Sequence, residues 1–345
     1  MEFFGVTLFG SLQGGGLIAI AAVLFIVGLV LVIKGGDWFV DSASWFAEAT
    51  GIPKFVVGAT VVSFATTLPE LLVSVRAAMI GSTQLAIGNA IGSVTANTTL
   101  IMGVSLVAMA GTIKRKDYAL KGSLLLAAIV GLTALSFVGP ATKDTPYSLP
   151  TWSAFILWAI FIVFMVSNLI EGMHGAALDE NSLKESEGVA SKVLFFILGT
   201  ASIVFGAEFL VSSGTTIATE IGISQTIIGF TVIALGTSLP ELVTTLTAIR
   251  KKENSLSVGN IIGANIIDTT LILPLCAVIT GKPLPVANVN LSFDFPVCIM
   301  ACAVAIIPTI IQGKFKKWQG YTLLSIYAIY MLLLIFQAVN IVSLG

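Results

Sequence analysis

The sequence predicts an all-α polytopic membrane protein of about ten transmembrane helices, arranged as two inverted five-helix repeats. Two observations carry this prediction. Over 345 residues the mean hydropathy is +1.02 and only 10% of residues are charged, where a soluble domain carries about 25%. In addition, residues 58–100 repeat at 229–271 without a gap.

The apolar residues fall in runs of roughly 18–25, each long enough to cross a bilayer core as a helix. They place spans near 15–34, 54–80, 85–111, 119–138, 151–170, 191–212, 223–249, 255–280, 294–312 and 318–343. The first run follows the uncharged stretch "VTLFGSLQGGG" rather than a basic leader with a cleavage site, so it reads as a retained span. Residues 171–190 hold Glu171, Asp179, Glu180, Lys184, Glu185 and Glu187 and are too polar to enter lipid. They form a linker between a first repeat, 1–170, and a second, 191–345.

The repeat is the most informative feature. At an offset of 171, "GATVVSFATTLPELL" (58–72) lies over "GFTVIALGTSLPELV" (229–243), and "GNAIGSVTANTTL" (88–100) over "GNIIGANIIDTTL" (259–271). Identity holds at 17 of 43 positions, more than shared hydrophobicity gives, and duplicated transporter halves show such symmetry. An odd number of spans per unit makes the second copy enter the membrane from the opposite side. With the N-terminus outside, 14 of the 17 Lys and Arg residues fall on the inner side, leaving Arg76, Lys143 and Lys282 outside. Because basic residues collect in cytoplasmic loops, this predicts a multi-pass cell-membrane protein with both termini extracellular and the linker cytoplasmic.

Composition also excludes functions. A net charge of −1 without a basic block argues against nucleic acid as a partner, leaving the lipid bilayer and small ions. Cys276, Cys298 and Cys302 lie in apolar segments as packing residues. The lone His174, read as part of a polar loop, cannot build a triad or a zinc site, so hydrolytic chemistry loses its usual base. No enzyme activity, cofactor or protein partner is expected.

Only Glu70, Glu241 and Asp268 are acids at span centres, where a charge costs at least about 2.5–3.5 kcal/mol on insertion scales. Glu70 and Glu241 are equivalent across the repeats, which brings two carboxylates together near the membrane midplane. Ionised together they repel unless a cation sits between them. Pro69 and Pro240 precede them, remove an amide donor and kink the helix, freeing a backbone carbonyl. Thr66 and Thr237 lie one turn earlier, with Thr67 and Ser238 beside them. The second element of each repeat adds a polar stripe, Asn89, Ser93 and Asn97, matched by Asn260, Ala264 and Asp268. Gly88 and Gly92, like Gly259 and Gly263, have the GxxxG spacing of closely packed membrane helices. The inventory is oxygen without nitrogen or sulfur, which suits hard cations such as Ca2+ and Na+. Taken singly, the hydroxyls and amides have a plainer use as hydrogen bonds within or between helices. Asp37 and Glu208 also correspond, but near span ends, and read as interfacial.

These motifs resemble the two alpha-repeats of the cation/calcium antiporter superfamily, specifically the microbial sodium/calcium exchangers, over nearly the whole chain and including "GGDWFVDSA" and "KKWQG". The resemblance implies one Ca2+ site and three sites that can hold Na+; ligand count and the energetics of Ca2+ expulsion then lead to alternating-access exchange of three Na+ for one Ca2+. By motif position the resemblance implies that Glu70, Glu241, Thr66 and Thr237 form the Ca2+ site. Thr67, Ser238, Ser93, Asn97 and Asp268, with the carbonyls of Ser63 and Ala234, complete the others. The proton/calcium branch has "GNxxE" in both repeats; "GNAIG" and "GNIIG" lack that glutamate, which favours sodium. Ala264 departs from the pattern by lacking the hydroxyl of Ser93. A proton/calcium antiporter is the main alternative. A cation channel would need a continuous polar stripe, and an aspartyl protease would need a second catalytic aspartate to match Asp268.

Overall fold

The computed structural model describes residues 2–3, 6–7, 14–109, 115–142, 145–177, 188–222 and 236–338. Two-residue strands β1 (Glu2–Phe3) and β2 (Val6–Thr7) precede the helices. The first repeat contains α1 (Gly15–Thr50), α2 (Lys54–Thr66) and α3 (Leu68–Met79). Next comes α4, in which Thr83–Ala96 runs through a π-helical turn, Asn97–Ile101, into Met102–Met109. Helix α5 (Arg115–Val138), strand β3 (Tyr147–Leu149) and α6 (Ser153–Ala177) complete it. The second repeat contains α7 (Val189–Glu220), α8 (Leu239–Lys251) and α9, in which Asn254–Ile267 passes through the π turn Asp268–Ile272 into Leu273–Thr280. It ends with β4 (Leu284–Val286), α10 (Asn290–Gln312) and α11 (Lys317–Ala338).

Among the described residues eight helices are long and apolar enough to cross a membrane, nine when the bent pair α2–α3 counts as one span. The span expected at 223–249 is described only from Gly236 onward. Three helices outrun their expected spans at the C-terminal end by a turn or more. Helix α1 keeps "KGGDWFVDSASW" helical and stops only at Gly51, whose φ of 67° is left-handed, followed by Pro53. At about 1.5 Å per residue its 36 residues exceed a bilayer core of about 30 Å. Likewise α7 extends past 212 to Glu220. Helix α6 continues through Ala177, so the first residues of the expected linker, His174 included, are helical; residues 178–187 lie outside the described set.

Helices α4 and α9 form the enclosed centre. Ile87, Ile91, Ile261 and Ile266 pack there with Ile129 and Leu132 of α5 and with Ala301 of α10. The three cysteines are buried in the same cluster, as packing residues. Helix α2 crosses α9 so closely that a Cβ on Gly259 would meet the Phe55 carbonyl oxygen at 2.3 Å, and one on Gly263 the Ala59 oxygen at 2.4 Å. Helices α1 and α7 pack along each other outside this core, meeting through glycines. A Cβ on Gly28 would lie 2.9 Å from Gly206 O, and one on Gly35 2.9 Å from Gly199 O. Gly28 and Gly199 are repeat equivalents, as are Gly35 and Gly206, so this contact obeys the pseudo-two-fold.

Charge ties the same end of α1 to the core. Arg250 of α8 pairs with Asp37, Lys251 reaches Asp41 at 2.5 Å, and Lys54 bridges Glu48 and Glu253 at 2.8 Å each. At the opposite end, β3 pairs antiparallel with β4, Tyr147 opposite Val286, joining a loop of each repeat.

Candidate functional site

The helix break expected from Pro69 is present: α2 and α3 meet at 47°, with Thr67 as the hinge at φ −84°, ψ 3°. Ser238 has nearly the same backbone, φ −86°, ψ 5°, at the start of α8. A proline follows within the first two positions of each helix, where its missing N–H costs nothing. Glu70 and Glu241 therefore both sit in a first helical turn, where the helix dipole favours a negative side chain.

Both glutamates and Asp268 are fully enclosed, at 1%, 0% and 0% exposure. Glu70 Oε1 and Oε2, Glu241 Oε2 and both Asp268 oxygens have no hydrogen-bond partner among the described residues, nor do the Asn97 amide and Ser238 Oγ. Buried polar atoms are rarely left so, and a cluster in which five carboxylate oxygens lack a donor is what a guest cation satisfies. Glu70 lies within electrostatic range of Glu241 and Asp268, and Asp268 of Glu241. Yet among the described residues no three His, Cys, Asp or Glu side chains converge to hold one metal ion. A cation here would rest on at most two carboxylates, with neutral oxygens completing its shell.

Those neutral oxygens are at hand. Thr67 Oγ1 donates to Ser63 O at 2.6 Å and lies 3.4 Å from Glu241 Oε1, linking the hinge of the first repeat to the acid of the second. Ser93 lies beside Glu70, with its Oγ 3.5 Å from Thr237 Oγ1. Ser63 O also accepts the Thr67 amide at 2.9 Å and the Thr66 hydroxyl at 3.4 Å. Ser63, Thr66, Thr67, Ser93, Asn97, Ser238 and Asp268 are all buried. Ala264 is buried as well and brings no side-chain oxygen. Ala234 lies outside the described residues.

Three features escaped sequence reading. Asn97 and Asp268 each open a π-helical turn, Asn97–Ile101 and Asp268–Ile272, at equivalent positions; such single-turn bulges gather at functional sites. No residue pattern marks a π turn, although the shared "TTL" behind each residue was a visible repeat. Asn89 and Asn260 bond across the repeat boundary to Thr237 and Thr66. Asp294, taken as a span edge, sits a turn inside α10 and accepts from Asn290 Nδ2 at 2.7 Å and Tyr330 Oη at 3.0 Å. Both its oxygens are engaged within the protein, which makes it structural.

Acids buried in the first turns of equivalent helices, inside an all-helical membrane fold with internal symmetry, define the class: a membrane carrier of cations. The chain belongs to the sodium/calcium exchanger protein family, whose sequence profile matches residues 20–170 and 191–336. It is a membrane antiporter of that family. It is similar to sodium/calcium exchanger MaX1 of Methanosarcina acetivorans, 31% identical over 93% of this chain and 100% of the relative. Inner membrane protein YrbG of Escherichia coli K12 is 35% identical over 81% of this chain and 86% of that protein. Among solved structures, the sodium-calcium exchanger NCX_Mj soaked with 10 mM Na+ and zero Ca2+ superposes with a TM-score of 0.77 at 28% identity, covering 90% and 98% of the two chains.

Proposed function

We propose that this antiporter exchanges three Na+ for one Ca2+ by alternating access, with Glu70 and Glu241 as the central pair of carboxylates. The observation that carries the reading is the symmetric burial of those two acids in the first turns of equivalent helices, with hydroxyls around them. Thr66 and Thr237 complete the Ca2+ site; Thr67, Ser238, Ser93, Asn97, Asp268 and the carbonyls of Ser63 and Ala234 serve Na+. Gly92 and Gly263, standing where a proton-coupled relative would carry glutamate, support Na+ as the counter-ion. Both termini face outward and residues 171–190 connect the repeats on the cytoplasmic side, a reading supported by the basic residues.

Energetics supports the stoichiometry. Expelling Ca2+ against a ten-thousand-fold gradient needs about 5.5 kcal/mol. Two Na+ entering down a tenfold gradient supply about 2.8 kcal/mol, which is too little. Three supply about 4.1 kcal/mol, and the one net charge adds about 2.3 per 100 mV. Coupling also follows from burial: an empty carrier with both glutamates ionised would occlude uncompensated charge, so only the filled carrier crosses easily.

The test is Ca2+ uptake into proteoliposomes driven by an outward Na+ gradient at equal pH, with and without an imposed potential. Uptake that depends on both is expected. Uptake driven by a pH gradient and indifferent to Na+ would establish proton coupling instead, and uptake indifferent to voltage would exclude three-to-one exchange.

A further inference from the structure

Asn89 and Asn260 are not among the cation ligands proposed above, yet each is bonded to one of them across the boundary between repeats. Thr66 Oγ1 donates to Asn260 Oδ1 at 3.2 Å, and Thr237 Oγ1 donates to Asn89 Oδ1 at 3.3 Å. Thr66 and Thr237 are equivalents at the offset of 171, as are Asn89 and Asn260, so the same contact is made twice.

The amide ends are anchored on the near side. Asn260 Nδ2 donates to Thr244 Oγ1 at 3.0 Å, and the Thr244 hydroxyl donates to the carbonyls of Pro240 at 2.9 Å and Glu241 at 3.0 Å. Asn89 Nδ2 donates to Ser74 Oγ at 2.9 Å and reaches Glu70 O at 3.4 Å. With their donor ends so held, both asparagines turn their carbonyl oxygens toward the threonine of the opposite repeat. Asn260 is 1% exposed, and Asn89, half-buried, is tied to the helix that carries Glu70.

A hydroxyl has one proton and two lone pairs. When the proton is committed to an asparagine oxygen, the lone pairs are left to face a cation. Two other acceptors compete for the Thr66 proton: Ser63 O is farther at 3.4 Å and already takes the Thr67 amide and hydroxyl at 2.9 and 2.6 Å, and the Glu241 carboxylate, also within hydrogen-bond reach, would turn to the cation when one is bound. Outer-shell partners of this kind fix the orientation of metal ligands elsewhere.

We propose that Asn89 and Asn260 are positioning residues that hold the Thr237 and Thr66 hydroxyls with their lone pairs toward the transported cation. Because each bond joins the two repeats, each half of the site is oriented by the other repeat. This rests on the reading of Thr66 and Thr237 as cation ligands.

The experiment is a double-mutant cycle in proteoliposomes with Ca2+ as the probe, comparing the native protein, Thr66→Val, Asn260→Val and the pair. Melting temperature and gel filtration monitor folding. Asn260→Val should raise the Ca2+ KM about tenfold, the order one buried hydrogen bond carries, with the maximal rate within about twofold. Adding it to Thr66→Val should raise KM no further. An unchanged KM in Asn260→Val, or an effect that multiplies fully with that of Thr66→Val, overturns the proposal. If Thr66→Val alone leaves KM unchanged, the ligand reading itself fails, a distinguishable result. Should Asn260→Val and Asn89→Val both fail to fold where Thr66→Val and Thr237→Val fold, the asparagines are structural and the proposal is wrong.

Discussion

Helices α4 and α9 have the same backbone and different chemistry. Each is a long enclosed helix interrupted by a π turn at the equivalent residue, yet Ser93 faces Ala264 in the alignment and Asn97 faces Asp268. The first repeat therefore brings one buried acid, Glu70, and the second brings two, Glu241 and Asp268. On the proposed division of ligands, symmetry is kept at the central carboxylate pair and given up at the positions assigned to Na+. Symmetry is also given up at the far ends of α3 and α8: Arg250 and Lys251, which pair with Asp37 and Asp41 of α1, have Met79 and Ile80 as equivalents.

Breaking the symmetric pair should have the largest effect. Glu70→Gln or Glu241→Gln keeps volume and hydrogen bonding while removing the charge that neutralises a divalent ion. Leaving one buried carboxylate to face Ca2+ alone should cost about 3–5 kcal/mol, more than a hundredfold in affinity. Isothermal titration in detergent checks this, with circular dichroism confirming an intact fold. Native Ca2+ affinity in either variant would remove these residues from the central site.

The contrast between symmetric and asymmetric features also explains what the sequence made legible. Glu70, Glu241 and their prolines were readable because an intramembrane acid is expensive and because each appears twice in register. The 47° break at Thr67 followed from Pro69. The close α2–α9 crossing at Gly259 and Gly263 followed from the GxxxG spacing. The length of α1 did not follow, since Lys34, Asp37 and Asp41 look like a loop to a hydropathy window; only the pairing of Asp37 and Asp41 with Arg250 and Lys251 shows why charged turns remain helical there. The roles of Asn89 and Asn260 depend on which hydroxyl lies opposite, a tertiary fact that spacing along one helix does not contain.

Making α9 resemble α4 sharpens the comparison. Asp268→Asn gives the second repeat the amide of the first. On the proposed division of ligands it should weaken the half-saturating Na+ concentration about tenfold, roughly 1.4 kcal/mol, while Ca2+ binding stays within a few-fold. Flux assays at varied Na+ measure it. A loss of Ca2+ binding as complete as in Glu70→Gln would place Asp268 in the Ca2+ site.

The charged end of α1 offers a smaller effect. Replacing Arg250 and Lys251 by their equivalents, Arg250→Met with Lys251→Ile, removes exposed ion pairs worth about 0–1 kcal/mol each. These pairs hold α1 against α8 on the side proposed as cytoplasmic. Their loss should ease opening there and tighten apparent Ca2+ affinity from that side by about two- to fivefold, an effect that salt should erase. Comparing KM in inside-out and right-side-out vesicles at low and high ionic strength reads it. An equal change from both sides would mean that the pairs support the fold rather than one state of it.

Ala264→Ser makes the least change and poses the finest question. Ser93, its equivalent, places Oγ 3.5 Å from Thr237 Oγ1 and beside Glu70. By the pseudo-two-fold, a hydroxyl introduced at 264 would stand near Thr66 and Glu241. Ala264 is fully enclosed, so the new hydroxyl has no access to bulk water and must find its partner inside the site. A buried hydroxyl without a partner costs about 1–3 kcal/mol, whereas one that bonds gains about 0.5–1.5. If Na+ occupies this side of the site, the added oxygen completes its shell, and the half-saturating Na+ concentration should fall about two- to tenfold with the Ca2+ KM little changed. If another oxygen already fills that position, the hydroxyl is surplus: the Na+ dependence stays as it was and the melting temperature drops. Measuring both quantities on the same preparation separates a carrier that has three complete Na+ sites despite Ala264 from one in which Ala264 has left a site weak.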